Sequence, residues 1–236
     1  MDAPSPAAAS ARRFGRRVWT AAAAIALVGP FAAADDADDP RATPRERPPS
    51  PGEVRTGIFG LEARGNRFVY VFDRSASMGE PEGRPLATAK AELVRSLDRL
   101  GDAQQFHVIF YNQRQHLFAP VGLQGRPVFA TEENRREARR FIDAVRADGG
   151  TRHAEPLAMA FRLRPDVVFL LTDADAADDL TADELARLER LAGGARVMLV
   201  RFGDATAAPS RRLEALGERT GGRCLVIDPL AAAGAD

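Results

Sequence analysis

The chain has 236 residues, of which 45% are hydrophobic and 28% charged, an ordinary balance for a soluble globular protein with enough length for one domain and its core. Lys plus Arg and Asp plus Glu number 33 each, so the formal net charge is zero and no global field recruits nucleic acid or an acidic membrane surface. The single cysteine, Cys224, excludes an intrachain disulfide and a thiolate metal cluster.

Residues 1–34 read as a targeting segment. Arg12, Arg13, Arg16 and Arg17 form a basic region, Val18 to Val28 is apolar and Ala-rich, and Ala32-Ala33-Ala34 offers small residues suited to cleavage. Export is expected, to the periplasm or the extracellular space; if uncleaved, residues 18–34 are a tether near the lower length limit for crossing a bilayer. Residues 35–55 are rich in Pro and charge with little to bury, a linker. A folded domain is expected over 56–230, followed by a short tail, 231–236.

Within that domain, residues 57–62 read as a short extended piece that leads through Gly65-Asn66 into RFVYVFDRSASM, Arg67 to Met78. Phe68 to Phe72 is an unbroken apolar run, as expected of a strand buried on both faces of a parallel sheet. Leu86, Leu93, Val94, Leu97 and Leu100 then recur at helical spacing up to Gly101, and Phe106 to Tyr111 is a second strand. The polar turn Asn112-Gln113-Arg114 predicts a hairpin into an antiparallel edge strand, Gln115 to Ala119. Thr131 caps a helix that buries Ala138, Phe141, Ile142 and Val145 and stops at Gly149-Gly150.

Thr151 opens a further short helix, with Pro156 tolerated in its first turn. Val167 to Leu171 is the next buried strand, and Thr181 with Glu184 forms a capping box for a helix carrying Leu185, Leu188 and Leu191. Val197 to Phe202 is a strand, Leu213 and Leu216 mark a last helix, and Cys224 to Ile227 closes the sheet with its thiol packed in the core. This alternation predicts an α/β, doubly wound, Rossmann-like and mostly parallel sheet with one antiparallel edge strand and helices on both faces.

Chemistry concentrates where the first central strand ends. Asp73, Ser75 and Ser77 offer three oxygen side chains at alternate positions, a donor type that suits a hard cation such as Mg²⁺ or Mn²⁺. In open α/β sheets ligands bind beyond the carboxyl ends of central strands, which is where this loop lies. Local readings compete at each residue: Asp73 as a loop cap, Ser75 or Ser77 as a helix cap, Thr151 as an N-cap, Asp173 as a turn residue. His153 is expected on the surface at a helix start, and Arg74 at the rim, facing an acidic partner.

The D-x-S-x-S pattern after a buried strand resembles the metal-ion-dependent adhesion site (MIDAS) of von Willebrand factor A (VWA) domains, and TGGR at Thr220 to Arg223 resembles the end of such domains. The resemblance spans about residues 56 to 230 and implies that Thr151 and Asp173 complete a Mg²⁺ or Mn²⁺ site with Asp73, Ser75 and Ser77. It further implies a non-enzymatic protein-binding domain whose cation takes a Glu or Asp carboxylate from a partner protein; apart from the resemblance, nothing in the sequence demands more than a monomer. Ala174 stands where the family usually has Gly after the site Asp, which alters the backbone path without removing a donor. Two alternatives stay open. One is a Mg²⁺-dependent phosphohydrolase of haloacid-dehalogenase-like type, against which Ser75 occupies the position of the acid/base Asp. The other is a metal-free scaffold.

Overall fold

The computed structural model describes residues 52–120, 125–173, 176–203 and 210–228. The expected targeting segment and most of the linker therefore lie outside the described residues. Among the described residues, no helix is long and apolar enough to cross a membrane.

The elements in chain order are β1 (Val54–Ile58), β2 (Leu61–Gly65), β3 (Arg67–Asp73), α1 (Arg84–Asp98), β4 (Gln105–Tyr111), β5 (Gln115–Leu117), β6 (Val128–Phe129), α2 (Glu132–Ala144), α3 (Ala154–Arg162), β7 (Val167–Thr172), α4 (Ala182–Ala192), β8 (Arg196–Phe202), α5 (Arg211–Arg219) and β9 (Arg223–Ile227). The main sheet runs β5-β4-β3-β7-β8-β9, with β6 also on β4. Strands β4, β3, β7, β8 and β9 are parallel, while β5 and β6 pair antiparallel with β4. The expected doubly wound, mostly parallel sheet is thus observed.

Its strands lack polar alternation because both faces are covered. Phe68, Tyr70 and Phe72 of β3 point into a core shared with α1 and α2, and Val69 and Val71 into a second core shared with α3, α4 and α5. All five are fully buried, each contributing roughly 1.5–3 kcal/mol of apolar burial. Thr131 caps α2 by accepting from the Asn134 N–H, and the Thr181–Glu184 capping box opens α4 as expected.

The strand starts are fixed together. Oδ2 of Asp166 accepts from the N–H groups of Asn66 (2.7 Å) and Arg67 (2.9 Å). The Asp166 N–H donates to the Arg67 carbonyl, and the Asp166 carbonyl accepts from the Arg196 N–H. One residue thereby joins the beginnings of β3, β7 and β8.

Four expectations change. Residues 57–62 are not a lead-in strand but the middle of a separate hairpin, β1–β2, which reverses at Phe59-Gly60, both with positive φ as a two-residue hairpin turn requires. Its Thr56 hydroxyl sits 2.8 Å from both the Ser96 carbonyl and the Ser96 hydroxyl of α1, burying it against the first core. Strand β6 is additional, and α2 ends at Ala144, before the glycines, with the Lys90 ammonium donating to the Asp143 and Val145 carbonyls. Thr151 does not open α3, which starts at Ala154. Cys224 is only half-buried, because β9 is the outer strand; burial pushes its thiol up to about 11.

Candidate metal centre

The chain leaves β3 toward β4 on one side, and β7 later joins β3 on the other, so the strand order reverses between β3 and β7. The carboxyl ends of these two strands carry Asp73 and Thr172-Asp173, which puts two acidic residues at the crevice where such folds bind ligands.

Asp73 is fully buried. Its Oδ1 accepts from the Ser75 N–H (2.8 Å), which folds the loop back over the strand end, and its Oδ2 accepts from the Thr172 hydroxyl (2.7 Å). The hydroxyls of Ser75 and Ser77 lie 3.1 Å apart, and Ala76 to Gly79 form a single 3-10 turn. Three of the expected ligands thus stand together. Burial first, and then the charge of Asp173, push the Asp73 carboxyl up to about 7 against the opposing hydrogen bonds of Thr172 and Ser75.

The loop from 145 to 153 closes over this turn. The Ala76 N–H donates to the Gly149 carbonyl (2.8 Å) and the Asp148 N–H to the Arg74 carbonyl (2.9 Å), so Thr151 is two residues beyond a direct backbone contact with the Asp73 loop. The Arg152 N–H bonds the Asn112 carbonyl, which ties the same loop to the end of β4. Gly149, at φ +73, is required here, since a Cβ would meet the Asn112 amide nitrogen at 2.9 Å. That amide donates to the Asp148 carbonyl and to Asp148 Oδ1. The glycine pair therefore admits the Asn112 and Gln113 side chains rather than ending a helix.

Arg74 does not wait at the rim for a partner. Its guanidinium pairs with Asp148 and donates to the Arg146 carbonyl (3.0 Å), holding the two loops together. Nor is His153 on the surface: it is 2% exposed, its Nδ1 lies 2.8 Å from the Tyr111 hydroxyl, and burial pushes it down to about 4. Burial, together with the nearby Asp73 charge, holds the pKa of the Tyr111 hydroxyl well above the usual phenol value.

Sequence reading missed Thr172, Tyr111 and His153. The signal for Thr172 was available: it is a polar residue ending an otherwise apolar strand, level with Asp73. Tyr111 and His153 meet only through the fold, 42 residues apart.

The donor set fits a hard cation. Among the described residues, no basic side chain pairs with Asp73, so burial leaves its negative charge without a counter-ion. No group of three His, Cys, Asp or Glu side chains is arranged to hold a metal among these residues, so a cation here would depend on hydroxyl ligands as well as carboxylates. Asp73, Ser75, Ser77, Thr151 and Asp173 would hold it, and it would supply Lewis acidity toward an incoming anionic oxygen.

No protein-family model matches the chain. Among curated proteins, inter-alpha-trypsin inhibitor heavy chain H4 of Homo sapiens is 30% identical over 145 residues, 52% of this chain and 14% of that protein. Its Bos taurus counterpart is 27% identical over 152 residues, 55% of this chain and 16% of that protein. The chain therefore spans a small fraction of the curated relatives it matches. Among solved structures, the von Willebrand factor type A protein from Catenulispora acidiphila superposes with a TM-score of 0.62 at 25% identity, covering 72% of this chain and 40% of that one.

The fold is of the von Willebrand factor A type. BatB from Bacteroides thetaiotaomicron shares it with a TM-score of 0.53 at 14% identity over 72% of this chain and 95% of that one. Proximal thread matrix protein 1 from the mussel byssus does so with 0.52 at 20% identity, over 71% and 43%. Both likenesses concern fold alone. In this VWA fold the switch-point crevice is the end at which Asp73 and Asp173 emerge.

Proposed function

We propose that this VWA-type domain is a divalent-cation-dependent, non-enzymatic protein-binding module, with Asp73, Ser75, Ser77, Thr151 and Asp173 as ligands of Mg²⁺ or Mn²⁺. The observation that carries the reading is the fully buried Asp73 carboxylate, held by Thr172 and Ser75 at the switch point, with hydroxyls around it and no basic side chain paired to it among the described residues. Hydroxyl ligands add no charge, so a cation held this way stays electrophilic and takes a carboxylate oxygen from a Glu or Asp of a partner protein. Affinity then comes mainly from the ion-carboxylate bond, and specificity from the loops around it.

The basic and apolar pattern of residues 12–34 supports export, with release or tethering decided by cleavage. Phosphohydrolysis is disfavoured because Ser75 stands where that chemistry needs an acid/base Asp and supplies no carboxyl acid.

Calorimetric titration of the protein with Mg²⁺ and Mn²⁺ tests the site: uptake by the wild type, lost in Asp73→Ala and Thr151→Ala, is the expected result. Equal uptake by all three proteins defeats the assignment. Affinity capture from a native extract with and without chelator then addresses the partner, expected only without chelator.

A further inference from the structure

Asn112, expected only as a turn residue, is 5% exposed and stands one position beyond Tyr111, the register partner of Asp73. Each of its polar groups has a defined partner. Its N–H donates to the Arg114 carbonyl (3.1 Å) and its Oδ1 accepts from the Arg114 N–H (2.8 Å), which folds the turn back and fixes the direction of the side chain. Its amide nitrogen donates to the Asp148 carbonyl (2.7 Å) and to Asp148 Oδ1 (2.8 Å), and its own carbonyl accepts from the Arg152 N–H (3.2 Å). The two ends of the amide are not exchangeable, since a backbone N–H can only donate and a carbonyl can only accept.

These bonds bracket Thr151. Asp148 precedes it and Arg152 follows it directly, so one residue grips the loop on both sides of an expected ligand. Between the two grips the loop comes down closely on the amide: a Cβ on Gly149 would stand 2.9 Å from the Asn112 nitrogen. The Asp73 loop also bonds this segment, through the Asp148 N–H to the Arg74 carbonyl and the Ala76 N–H to the Gly149 carbonyl, but both of these contacts fall before Thr151.

We propose that Asn112 is a positioning residue for the cation site: by holding the loop at Asp148 and Arg152 it sets where Thr151 stands relative to Asp73. The proposal rests on the reading of the site as a Mg²⁺ or Mn²⁺ site. Thr151 lies between α2 and α3, in neither helix, so its place is set by the groups that anchor the loop. Groups that orient a metal ligand without touching the metal typically cost about 10–100-fold in affinity when removed. A purely structural role for the same bonds predicts loss of stability and an unchanged affinity of the folded protein.

The test is calorimetric titration of the full chain with Mn²⁺, paired with melting temperatures measured in chelator. Asn112→Ala removes the amide, and Gly149→Ala leaves the amide in place but forces the loop away from it. Gly222→Ala crowds Val197 at the opposite end of the sheet and lowers stability without touching the loop. The expected result is Mn²⁺ affinity about 10–100-fold weaker in Asn112→Ala and Gly149→Ala, with Gly222→Ala as wild type. If the wild type binds Mn²⁺ and Asp73→Ala does not, while Asn112→Ala and Gly149→Ala bind as wild type, the positioning role is overturned and the cation site stands. If Gly222→Ala weakens binding as far as Asn112→Ala does, lost stability alone accounts for the effect and the role is likewise overturned. If the wild type takes up no Mn²⁺, both readings fall together.

Discussion

The Thr172 hydroxyl donates to Oδ2 of Asp73 at 2.7 Å, joining the ends of two adjacent parallel strands whose residues are 99 positions apart in sequence. This bond links the end of β3, where the Asp73 loop begins, directly to the strand that delivers Asp173. Thr172→Val keeps the shape and leaves Oδ2 without its donor in a buried site. The cation-free protein is expected to lose about 1–3 kcal/mol in urea unfolding, and Mn²⁺ affinity to fall on calorimetric titration.

Stability without metal should depend on pH through Asp73. Its carboxyl is raised in the folded protein from 3.8 to about 7, mainly by burial. The folded state therefore holds a proton that the unfolded state has released, and stability falls as pH rises from about 4 to about 7, then levels off. The total is on the order of a few kcal/mol. Urea unfolding in chelator at pH 5 and pH 8 measures it, and Asp73→Asn should flatten the difference. Mg²⁺ or Mn²⁺ binding requires the ionised carboxylate, so affinity should rise over the same interval with proton release.

Asp179 caps a helix to which it does not belong. Its Oδ2 accepts from the Arg212 N–H (3.0 Å) and its Oδ1 from the Leu213 N–H (3.2 Å), satisfying the first turn of α5 from the loop before α4. Asp179→Ala should cost about 0.5–2 kcal/mol, measured by chemical denaturation, with Asp179→Asn costing less.

Gly222 lies against the start of β8, where a Cβ would stand 1.8 Å from the Val197 carbonyl oxygen. Backbone must move to admit any side chain. Gly222→Ala is expected to destabilise by about 1–3 kcal/mol or more, visible as a lowered melting temperature.

The elements that sequence exposed were those whose pattern is local. An unbroken apolar run such as Phe68 to Phe72 announces a doubly covered strand, and Thr181 with Glu184 announces a helix start. The oxygen-bearing residues after β3 and β7 were legible for the same reason, each following a buried strand. What escaped depends on contacts distant in the chain. His153 sits in the polar string TRHAE, and its burial is decided by Tyr111 on a neighbouring strand. Arg74 finds Asp148 only once the two loops are folded together, and β6 is two residues long, too short to leave a pattern.

Asp166 has a consequence at the opposite end of the molecule. Its bonds set the starting heights of β3, β7 and β8, and β3 then climbs about 20 Å before it reaches Asp73. A one-residue slip at the base would turn Thr172 to the other face and lift Asp173 past its neighbour. The alignment of the upper edge is thus levelled from below, like a mast trued at its foot.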